Sequence, residues 1–479
     1  MLRTRHAVAA ATVLLAAAAP AAATASQSFP SRPDLTPPSV RVTTKPSAVA
    51  PGSLFVAPKG GDEQRGPMIY DDTGQLVYFQ PVKTGQTVLD FRAQTYRGEP
   101  VLTWWQGVAK RGYGEGHGVV YDARYHPIAT VEAAGGRKMD FHEFTITPQN
   151  TALIDTYRIV RQDLRSVKGG KKNDLAMENT VQEVDIATGE LLWEWVANDD
   201  IAPTESYDVV PRRAAFPYDY LHLNSVNLDT DGNVVVSSRA AHALYKLERG
   251  TGRLLWRLGG KKSDFAMGPG TRTAWQHDAE PQGDGTFTVF DNNADEPAPG
   301  KETRGVQLKV DESARTVSLL RQWTNPKSQL SPSQGNLQAL PGGDVLMGWG
   351  GTATNLTEFS ATGAVQFEAS FTNRNVETYR AYRLPWTAQP TSPPKAAARR
   401  SGRSTAVRVS WNGATTVASW RVLGGSTASR LTPRRTVARN GFETLLRYPG
   451  NDSIVAVQAL DGNGAVLSTS RSARVGQRW

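Results

Sequence analysis

A short turn followed by an apolar strand recurs six times between residues 52 and 347, and this repeat most constrains the fold of the chain. The copies follow one another about every 50 residues, with one longer interval of about 80. A unit of this length cannot bury both faces of its own sheet, so neighbouring units must pack against each other. The six copies are Gly52–Val56, Glu99–Thr103, Asn150–Ile154, Gly232–Val236, Gly285–Val289 and Gly343–Met347.

A second pattern, in which a turn with a small or polar residue precedes a strand, alternates with the first. Each copy combines turn residues with β-branched or alternating apolar residues, as a β-hairpin does. The two patterns together predict four-stranded units, and radial packing of such units leaves only short exposed edges. We therefore predict an all-β protein whose residues 40–388 form a six-bladed β-propeller. The hairpin copies are Asp72–Tyr78, Ala187–Trp193, Gly250–Trp256 and Ala361–Val365, with weaker ones at Asp122–Ile128 and Asp311–Val317.

The composition changes after the repeats. Residues 389–403 are rich in Pro, Ser, Ala and Arg, which is typical of a linker. Short strands separated by turns across residues 404–479 predict a small fibronectin- or immunoglobulin-like β-sandwich. Trp411 and Trp420 are its expected core aromatic residues.

The positive charge of the chain is concentrated in this last part. The chain carries a net charge of +9, and from residue 391 onward there are 14 Lys+Arg against 3 Asp+Glu. This balance suits either simple solubility or contact with an anionic glycan of the cell surface. No nucleic-acid-binding motif accompanies the basic residues, so nucleic acid is not expected as a partner.

The first residues predict export from the cell. Residues 1–25 combine a basic start, the short apolar run Ala7–Ala19 and the small-residue sequence Ala23-Thr24-Ala25, as a signal peptide does. We expect a secreted protein that starts near Ser26, with residues 26–39 as an extension before the propeller. No apolar stretch is long enough to span a bilayer comfortably. The chain has no cysteine, which excludes disulfides, thiolate nucleophiles and cysteine metal sites.

Three histidines occupy comparable positions in the repeat. His142, His222 and His277 each precede, by about ten residues, a turn and an apolar strand. Imidazole is the best nucleophile that a cysteine-free chain offers near neutral pH. If the repeat closes into a ring, these side chains meet around one cavity. The histidines at 117, 126 and 242 lack the shared position, and structural roles are expected for them.

Two polar residues accompany His222. Asn224 lies two residues further on, so in a regular strand it faces the same side and can donate a hydrogen bond to a substrate oxygen. Arg239 follows the next strand, and a guanidinium favours an oxyanion ligand. Three imidazoles could instead hold zinc or copper. Because a cation would be opposed by Arg239, we expect neither a metal nor a cofactor.

Two acidic residues and two insertions complete the candidates. Glu143 and Asp278 each follow a candidate histidine and face the opposite side of the strand, where they are expected to brace adjacent blades. The insertion at 161–179 is glycine-rich and polar, which predicts a mobile loop. The insertion at 198–220 carries several aromatic residues and leads into His222, so it is a candidate lid over the channel or a surface excursion without a role.

Several segments in this order resemble the bacterial aryl sulfotransferase family, and most closely its divergent actinobacterial members. They are His222-Leu223-Asn224-Ser225-Val226, Ser237-Ser238-Arg239, the run from Leu254 to Gly260, and Gln276-His277-Asp278-Ala279. The resemblance implies a secreted six-bladed propeller that moves a sulfuryl group from a phenolic sulfate ester to a phenol without a nucleotide donor. Its partners would be small molecules.

The resemblance also implies residue roles. His277 would match the nucleophile that forms a sulfohistidine, His222, Asn224 and Arg239 would match the groups that bind the sulfuryl oxygens, and His142 would match a further active-site histidine. The chain differs from the enterobacterial members, because it lacks their N-terminal β-sandwich and disulfide and adds a C-terminal domain. The oligomeric state and the range of substrates therefore do not follow from the resemblance.

Two other functions are compatible with a propeller. The first is a non-catalytic binding module at the cell surface that recognises glycans or protein partners, since a fold does not fix a function. The second is a quinone-dependent dehydrogenase, whose blades also carry the Gly-x-Leu-Leu-Trp hairpin. That class has more blades and a calcium site of clustered carboxylates and amides, which the sequence does not contain.

Overall fold

The computed structural model describes residues 26–43, 49–213, 215–293, 302–352 and 355–479. The predicted signal peptide, residues 1–25, lies outside the described residues. Strands dominate the described part of the chain, which has a single short α-helix and two 3-10 turns. The prediction of an all-β protein is confirmed. No helix of the described residues is both long and apolar enough to cross a membrane.

The strands of the N-terminal half precede the short helix. They are β1 (Val40–Val42), β2 (Ser53–Gly60), β3 (Met68–Tyr70), β4 (Leu76–Phe79), β5 (Thr87–Tyr96), β6 (Glu99–Ala109), β7 (Gly114–Tyr121), β8 (Pro127–Val131), β9 (Met139–Ile146), β10 (Thr151–Gln162), β11 (Asp174–Asp185) and β12 (Leu191–Val196). Helix α1 (Ala197–Asp200) and a 3-10 turn at Pro203–Glu205 follow.

The next strands complete the repeat region. They are β13 (Leu223–Leu228), β14 (Val234–Ser238), β15 (Ala243–Leu247), β16 (Leu254–Gly259), β17 (Ala266–Met267), β18 (His277–Gly283), β19 (Thr286–Asp291), β20 (Arg304–Asp311), β21 (Thr316–Thr324), β22 (Asn336–Ala339), β23 (Val345–Gly348), β24 (Leu356–Phe359), β25 (Val365–Phe371) and β26 (Val376–Leu384). The second 3-10 turn, Pro341–Gly343, lies between β22 and β23.

The strands form antiparallel four-stranded meanders. Four of them are sheets of their own, with the orders β26-β2-β3-β4, β13-β14-β15-β16, β18-β19-β20-β21 and β22-β23-β24-β25. The third gains the parallel strand β17 and the fourth gains β1 at its outer edge. The six copies of the turn–strand pattern lie at the second strands of the meanders, namely β2, β6, β10, β14, β19 and β23.

The region from β5 to β12 departs from the predicted arrangement. Its strands form one eight-stranded sheet, because the meander β5-β6-β7-β8 and the meander β9-β10-β11-β12 are joined by the pair Gly116↔Met139. Strand β7 allows this approach because a Cβ at Gly114 or Gly118 would clash with Phe141 or Phe144 of β9. The fold is therefore propeller-like with four separate blades, and the prediction of six separate blades is wrong in this respect.

The edge strands that begin the meanders nevertheless surround a common centre. Strand β26 contacts β5, and contacts continue from β5 to β9, β13, β18 and β22, and from β22 back to β26. We call these six the inner strands. Apolar clusters fill the spaces between the sheets, with the tryptophans Trp104, Trp105, Trp256 and Trp349 fully buried.

The C-terminal region also differs from its prediction. Its strands are β27 (Lys395–Ser401), β28 (Ser404–Ser410), β29 (Ser419–Gly425), β30 (Thr432–Ala438), β31 (Glu443–Pro449), β32 (Ile454–Leu460), β33 (Val466–Thr469) and β34 (Ala473–Gly476). They form one hydrogen-bonded eight-stranded sheet, because β34 pairs with both β27 and β32, so the predicted sandwich of two separate sheets is not confirmed. Trp411 and Trp420 are buried in its core, as predicted. Strand β27 occupies seven of the fifteen residues that were predicted as a linker.

The C-terminal sheet is attached to the repeat region through a turn. The side chain of Asn412 accepts a hydrogen bond from the Phe79 N–H at 3.0 Å and donates one to the Phe79 carbonyl at 2.8 Å. The Gly413 N–H bonds to the Val77 carbonyl at 2.9 Å. These bonds cover the exposed edge of β4, which would otherwise offer unpaired backbone groups.

The two insertions are more ordered than predicted. Strands β10 and β11 continue into the first insertion, so that only residues 163–173 form its loop. The second insertion is tied to the body, since Tyr218 donates its N–H to the Leu175 carbonyl and Tyr207 donates its N–H to the Ala240 carbonyl, both at 2.8 Å. The prediction of a loop over 161–179 is therefore wrong for residues 161–162 and 174–179, which belong to strands β10 and β11.

A buried arginine connects the inner strands at the centre. Arg380 of β26 lies 3.2 Å from Asp90 of β5, 3.1 Å from Glu143 of β9 and 3.4 Å from Asp278 of β18. Its Nη2 also donates to the backbone carbonyl of Asn224 in β13 at 2.7 Å. All of these side chains are buried.

Two further bonds extend this network. Arg92 of β5 donates to Glu143 at 2.5 Å, and the carboxylate of Asp278 accepts the backbone N–H of Leu337 in β22 at 3.0 Å. The prediction that Glu143 and Asp278 brace adjacent strands is confirmed. Ion pairs of this kind hold the inner strands together only if every charge is matched, because an unmatched buried charge is costly.

We expect Arg380→Met to lower the free energy of unfolding by about 3–5 kcal/mol, because it leaves the buried carboxylate of Asp278 without a cation and leaves Asp90 and Glu143 with Arg92 alone. Urea unfolding followed by fluorescence measures this loss. The control is Lys59→Met, which breaks the partly exposed pair with Glu377 and should cost less than about 1 kcal/mol. Lowering the pH from about 7 to about 5 should reduce the difference in the free energy of unfolding between Arg380→Met and the wild type, since protonation neutralises the carboxylates. Equal losses in the two variants would contradict the central role of Arg380.

Candidate active site

The three predicted histidines lie in, or directly before, neighbouring inner strands. His142 is in β9, His222 directly precedes β13, and His277 is the first residue of β18. The rings of His142 and His222 are 4.9 Å apart, centre to centre, at an angle of 77°. His277 is held next to the strand that follows His222, because the Nδ2 of Asn224 donates to the backbone carbonyl of Gln276 at 2.7 Å. The structure therefore brings the predicted histidines to one site.

Irregular backbone directs side chains at this end of the inner strands. His222 and Asp278 each have a φ of 52°, in the left-handed region that residues other than glycine rarely adopt. The pairing register shifts between Leu223 and Ser225 and between His277 and Glu280, as in a β-bulge. Bulges re-aim side chains and are frequent beside active sites.

Because of this irregularity, the alternation of a regular strand does not place Asn224 on the same face as His222. Side chains alternate between the two faces only in a regular strand, whereas the backbone of His222 is in the left-handed region and a bulge follows it. Asn224 is fully buried and its Nδ2 donates to the Gln276 carbonyl at 2.7 Å, while its Oδ1 has no hydrogen-bond partner. Asn224 thus fixes the backbone next to His277, and its role in binding substrate stays a prediction.

His142 is buried among acidic and aromatic side chains. Its Nδ1 forms a very short hydrogen bond with Asp140, and Asp155 lies 3.8 Å from the same nitrogen. Tyr157 stacks on its ring at 5.4 Å between centres. Burial lowers the pKa of His142 well below its ordinary value, and burial raises the pKa of Asp140 to about 7. His142 is therefore a neutral imidazole at neutral pH.

His222 is the more accessible of this pair. Its Nδ1 lies 2.6 Å from Asp219, and its side chain is 15% exposed against 3% for His142. Burial alone would raise the pKa of Asp219, but His222 and the amide of Asn179 hold it below its ordinary value. The Nε2 atoms of His142 and His222 have no hydrogen-bond partner among the described residues.

The protonation of His277 follows from its three hydrogen bonds, one of which joins its Nδ1 to the Trp275 carbonyl at 3.2 Å. Its Nδ1 lies 2.7 Å from Oδ1 of Asn292, an acceptor, so Nδ1 carries the proton. Its Nε2 accepts the backbone N–H of Gln334 at 3.2 Å. Burial and the nearby Arg239 lower the pKa of His277 well below its ordinary value. The ring is therefore neutral, with its lone pair on Nε2.

Arg239 supplies the cation of the site. Its backbone N–H donates to the His222 carbonyl at 3.0 Å, and its guanidinium lies 4.4 Å from the centre of the Trp275 ring. Its Nη2 donates to the Pro332 carbonyl at 3.4 Å, and it has no ion-pair partner among the described residues. A guanidinium that forms no ion pair, beside the neutral imidazoles of His142 and His277, is suited to bind an oxyanion.

One group of side chains in the described residues could hold a metal ion, and it differs from the three histidines considered from the sequence. It consists of Asp140, His142 and Asp155, whose ligand atoms lie within 4.8 Å of one another. Burial raises the pKa of both carboxyl groups, so binding a metal would first require the loss of protons. The two carboxylates also accept backbone hydrogen bonds, Asp140 from the N–H of Gly114 and Asp155 from the N–H of Glu143.

The residues that orient the imidazoles were not predicted from the sequence. Asp140 and Asp219 precede their histidines by two and three residues, a local spacing that could have been noticed. Asn292 and Gln334 are distant in sequence from His277, and no local pattern indicates them. Their contacts exist only because β18, β19 and the segment before β22 are neighbours.

The profile of the family described as Arylsulfotransferase (ASST) matches residues 92–372, which is more than half of the chain. No curated protein matches. Among solved structures, a protein of unknown function from Desulfotomaculum acetoxidans is similar with a TM-score of 0.37 and 13% identity, covering 69% of this chain and 89% of that one.

Two other solved structures are similar at the same level. The periplasmic gluconolactonase of Pseudomonas aeruginosa has a TM-score of 0.36 and 14% identity over 89% of this chain and 97% of its own. A streptogramin B lyase has a TM-score of 0.38 and 8% identity over 70% of this chain and 89% of its own. Similarity this low supports no conclusion about function.

Fold and site together define a propeller-like protein with neutral imidazoles and an unpaired guanidinium at one end of its inner strands. The family match then assigns it: this chain belongs to the arylsulfotransferase family. The resemblance inferred from the sequence is confirmed.

We expect the burial of His277 to make stability fall with acidity. Because its pKa is lowered in the folded state, the unfolded chain binds a proton that the native site does not, so stability is lost as the pH falls below about 6.5. Between about pH 7.5 and 5.5 this loss is about 1.4 kcal/mol, and His277→Asn should remove it. Denaturant unfolding at both pH values measures the effect. The same acid loss in both proteins would mean that His277 takes up a proton in the native state.

Proposed function

We propose that the protein is an aryl sulfotransferase that moves a sulfuryl group from a phenolic sulfate ester to a phenol through a sulfohistidine at His277. The observation that carries this proposal is the set of three hydrogen bonds of His277, which leave the lone pair on Nε2. A neutral imidazole with a fixed tautomer is an effective nucleophile. The family match supports the same reaction class.

In the first half-reaction, the sulfate ester binds with its oxygens near Arg239. The N–H of Gln334 gives up its long bond to Nε2, and Nε2 attacks the sulfur while the bond from sulfur to the phenolic oxygen breaks. The ring of His277 gains positive charge, which Oδ1 of Asn292 stabilises through the proton on Nδ1. Transfer of this kind needs mainly positioning and charge stabilisation. In the second half-reaction a phenol oxygen attacks the sulfur, and the bond from sulfur to Nε2 breaks.

His222 is the better candidate for the proton transfers. Asp219 is ionised and stabilises a positive charge on His222, and His222 is more exposed than His142. By contrast, the partner of His142, Asp140, has a pKa raised by burial, so it stabilises a cation less well. His222 would protonate the departing phenolate and then accept the proton of the incoming phenol. His142 and Asn224 would contribute to binding and orientation.

We also propose how many blades the protein has, what kind of domain its C-terminal sheet forms, and that it is exported. We count the double sheet β5–β12 as two blades, because its two meanders supply two of the six inner strands in contact around the centre. The C-terminal sheet would be a fibronectin-like domain. Its basic charge would suit an anionic glycan as a partner. The features of residues 1–25 support export.

The covalent step predicts a labelled histidine. After incubation with 4-nitrophenyl sulfate and proteolysis, mass spectrometry should find a sulfuryl group on the peptide that contains His277. His277→Ala should lose both the label and the release of 4-nitrophenol, while the control His117→Ala keeps them. A non-catalytic binding module would give neither label nor product. Normal turnover by His277→Ala would refute the assignment.

The role of His222 predicts a dependence on the leaving group. Asp219→Asn should slow transfer from phenyl sulfate by about 10²–10⁴-fold, and slow transfer from 4-nitrophenyl sulfate much less, because 4-nitrophenolate leaves without a proton. Steady-state rates with the two donors test this. Asp163→Asn, which removes an exposed carboxylate paired with Arg165, is the control. Equal losses with both donors would show that Asp219 only maintains the structure.

A further inference from the structure

Two separate segments meet beside His222 at the open side of the site. The loop between β6 and β7 approaches so closely that a Cβ on Gly112 would lie 3.3 Å from Cε1 of His222. The insertion 198–220 supplies Asp219 to the same histidine. The guanidinium carbon of Arg111, next to Gly112, lies 5.7 Å from the centre of the Phe216 ring in that insertion.

Arg111 is a free cation at this position. It is exposed and has no ion-pair partner among the described residues, whereas the neighbouring Lys110 is paired with Glu115. Phe216 keeps 40% of its surface exposed, so its ring is accessible to a ligand. An exposed ring with a guanidinium over its face offers both stacking and charge to a planar ligand.

The chemistry of this pair indicates what it would bind. An aromatic ligand can stack on Phe216, and a carboxylate on that ligand can form two parallel hydrogen bonds with the guanidinium. Arg239 is already required for the sulfuryl oxygens, so Arg111 supplies a second, separate cation. In a reaction with two half-reactions at one nucleophile, the aryl groups of donor and acceptor occupy the same place in turn.

We propose that Arg111 and Phe216 form the outer part of the aryl subsite and select phenols that carry a second, negatively charged group. This inference rests on the proposed sulfuryl transfer and adds the substrate class to it. Phe216 stacks on the ring, Arg111 pairs with the anionic substituent, and the phenolic oxygen then faces His222 and His277. Because Arg111 is exposed, its attraction for the substituent weakens as the salt concentration rises.

Two acceptors of nearly the same shape test this selection. The specificity constants for 4-hydroxybenzoate and the uncharged 4-hydroxybenzamide are compared with 4-nitrophenyl sulfate as donor. The wild type should favour the benzoate, and Arg111→Gln should reduce the ratio of the two constants about tenfold, which corresponds to about 1.4 kcal/mol. High salt should reduce the ratio in the wild type and not in Arg111→Gln. Phe216→Leu should raise KM for both acceptors alike.

Arg430→Gln is the control, because Arg430 is an exposed arginine of the C-terminal region with no ion pair among the described residues. It should leave the ratio unchanged. If the wild type and Arg111→Gln have the same ratio of specificity constants and His277 is still labelled, the proposed selection of anionic phenols is wrong and the proposed sulfuryl transfer stands. No label on His277 and no transfer to either acceptor would overturn both proposals.

Discussion

The arrangement of the inner strands depends on one buried cation. Arg380 of β26 contacts acidic side chains of β5, β9 and β18 and a backbone carbonyl of β13. A guanidinium can do this because its five N–H groups point in several fixed directions, which a lysine could not reproduce. The carboxylates around it are buried, so they require this cation as much as it requires them.

The same network determines where the imidazoles lie. Glu143 and Asp278 directly follow His142 and His277, so fixing the carboxylates also fixes the backbone from which the histidines project. Asn224 is held through its carbonyl by Arg380 and in turn holds the carbonyl of Gln276. A rigid charged centre therefore supports the backbone of the site, and groups that are held in place in this way need little rearrangement during a reaction.

The three histidines differ in their electrostatic surroundings. His277 and His142 are kept neutral by burial, and an amide oxygen fixes the tautomer of His277. His222 alone combines solvent access with an ionised carboxylate partner. Three residues of one type can thus serve as nucleophile, proton carrier and orienting group because their surroundings differ.

The sequence by itself determined the repeat, the strands and the residues that meet at the site. Turn residues and apolar alternation act locally, and a repeated unit places His142, His222 and His277 at comparable positions whatever the rest of the chain does. It also predicted that Glu143 and Asp278 brace neighbouring strands. It failed where the backbone is irregular, since the bulge after His222 breaks the alternation on which the placement of Asn224 relied.

Only the tertiary structure decided how the units associate and which groups orient the imidazoles. The fusion of two meanders depends on glycines of β7 meeting aromatic rings of β9, and the contact of Asn292 with His277 depends on the pairing of their strands. The approach of Arg111 to Phe216 joins a loop and an insertion about a hundred residues apart in the chain. Such contacts arise from packing between units, which local sequence patterns do not encode.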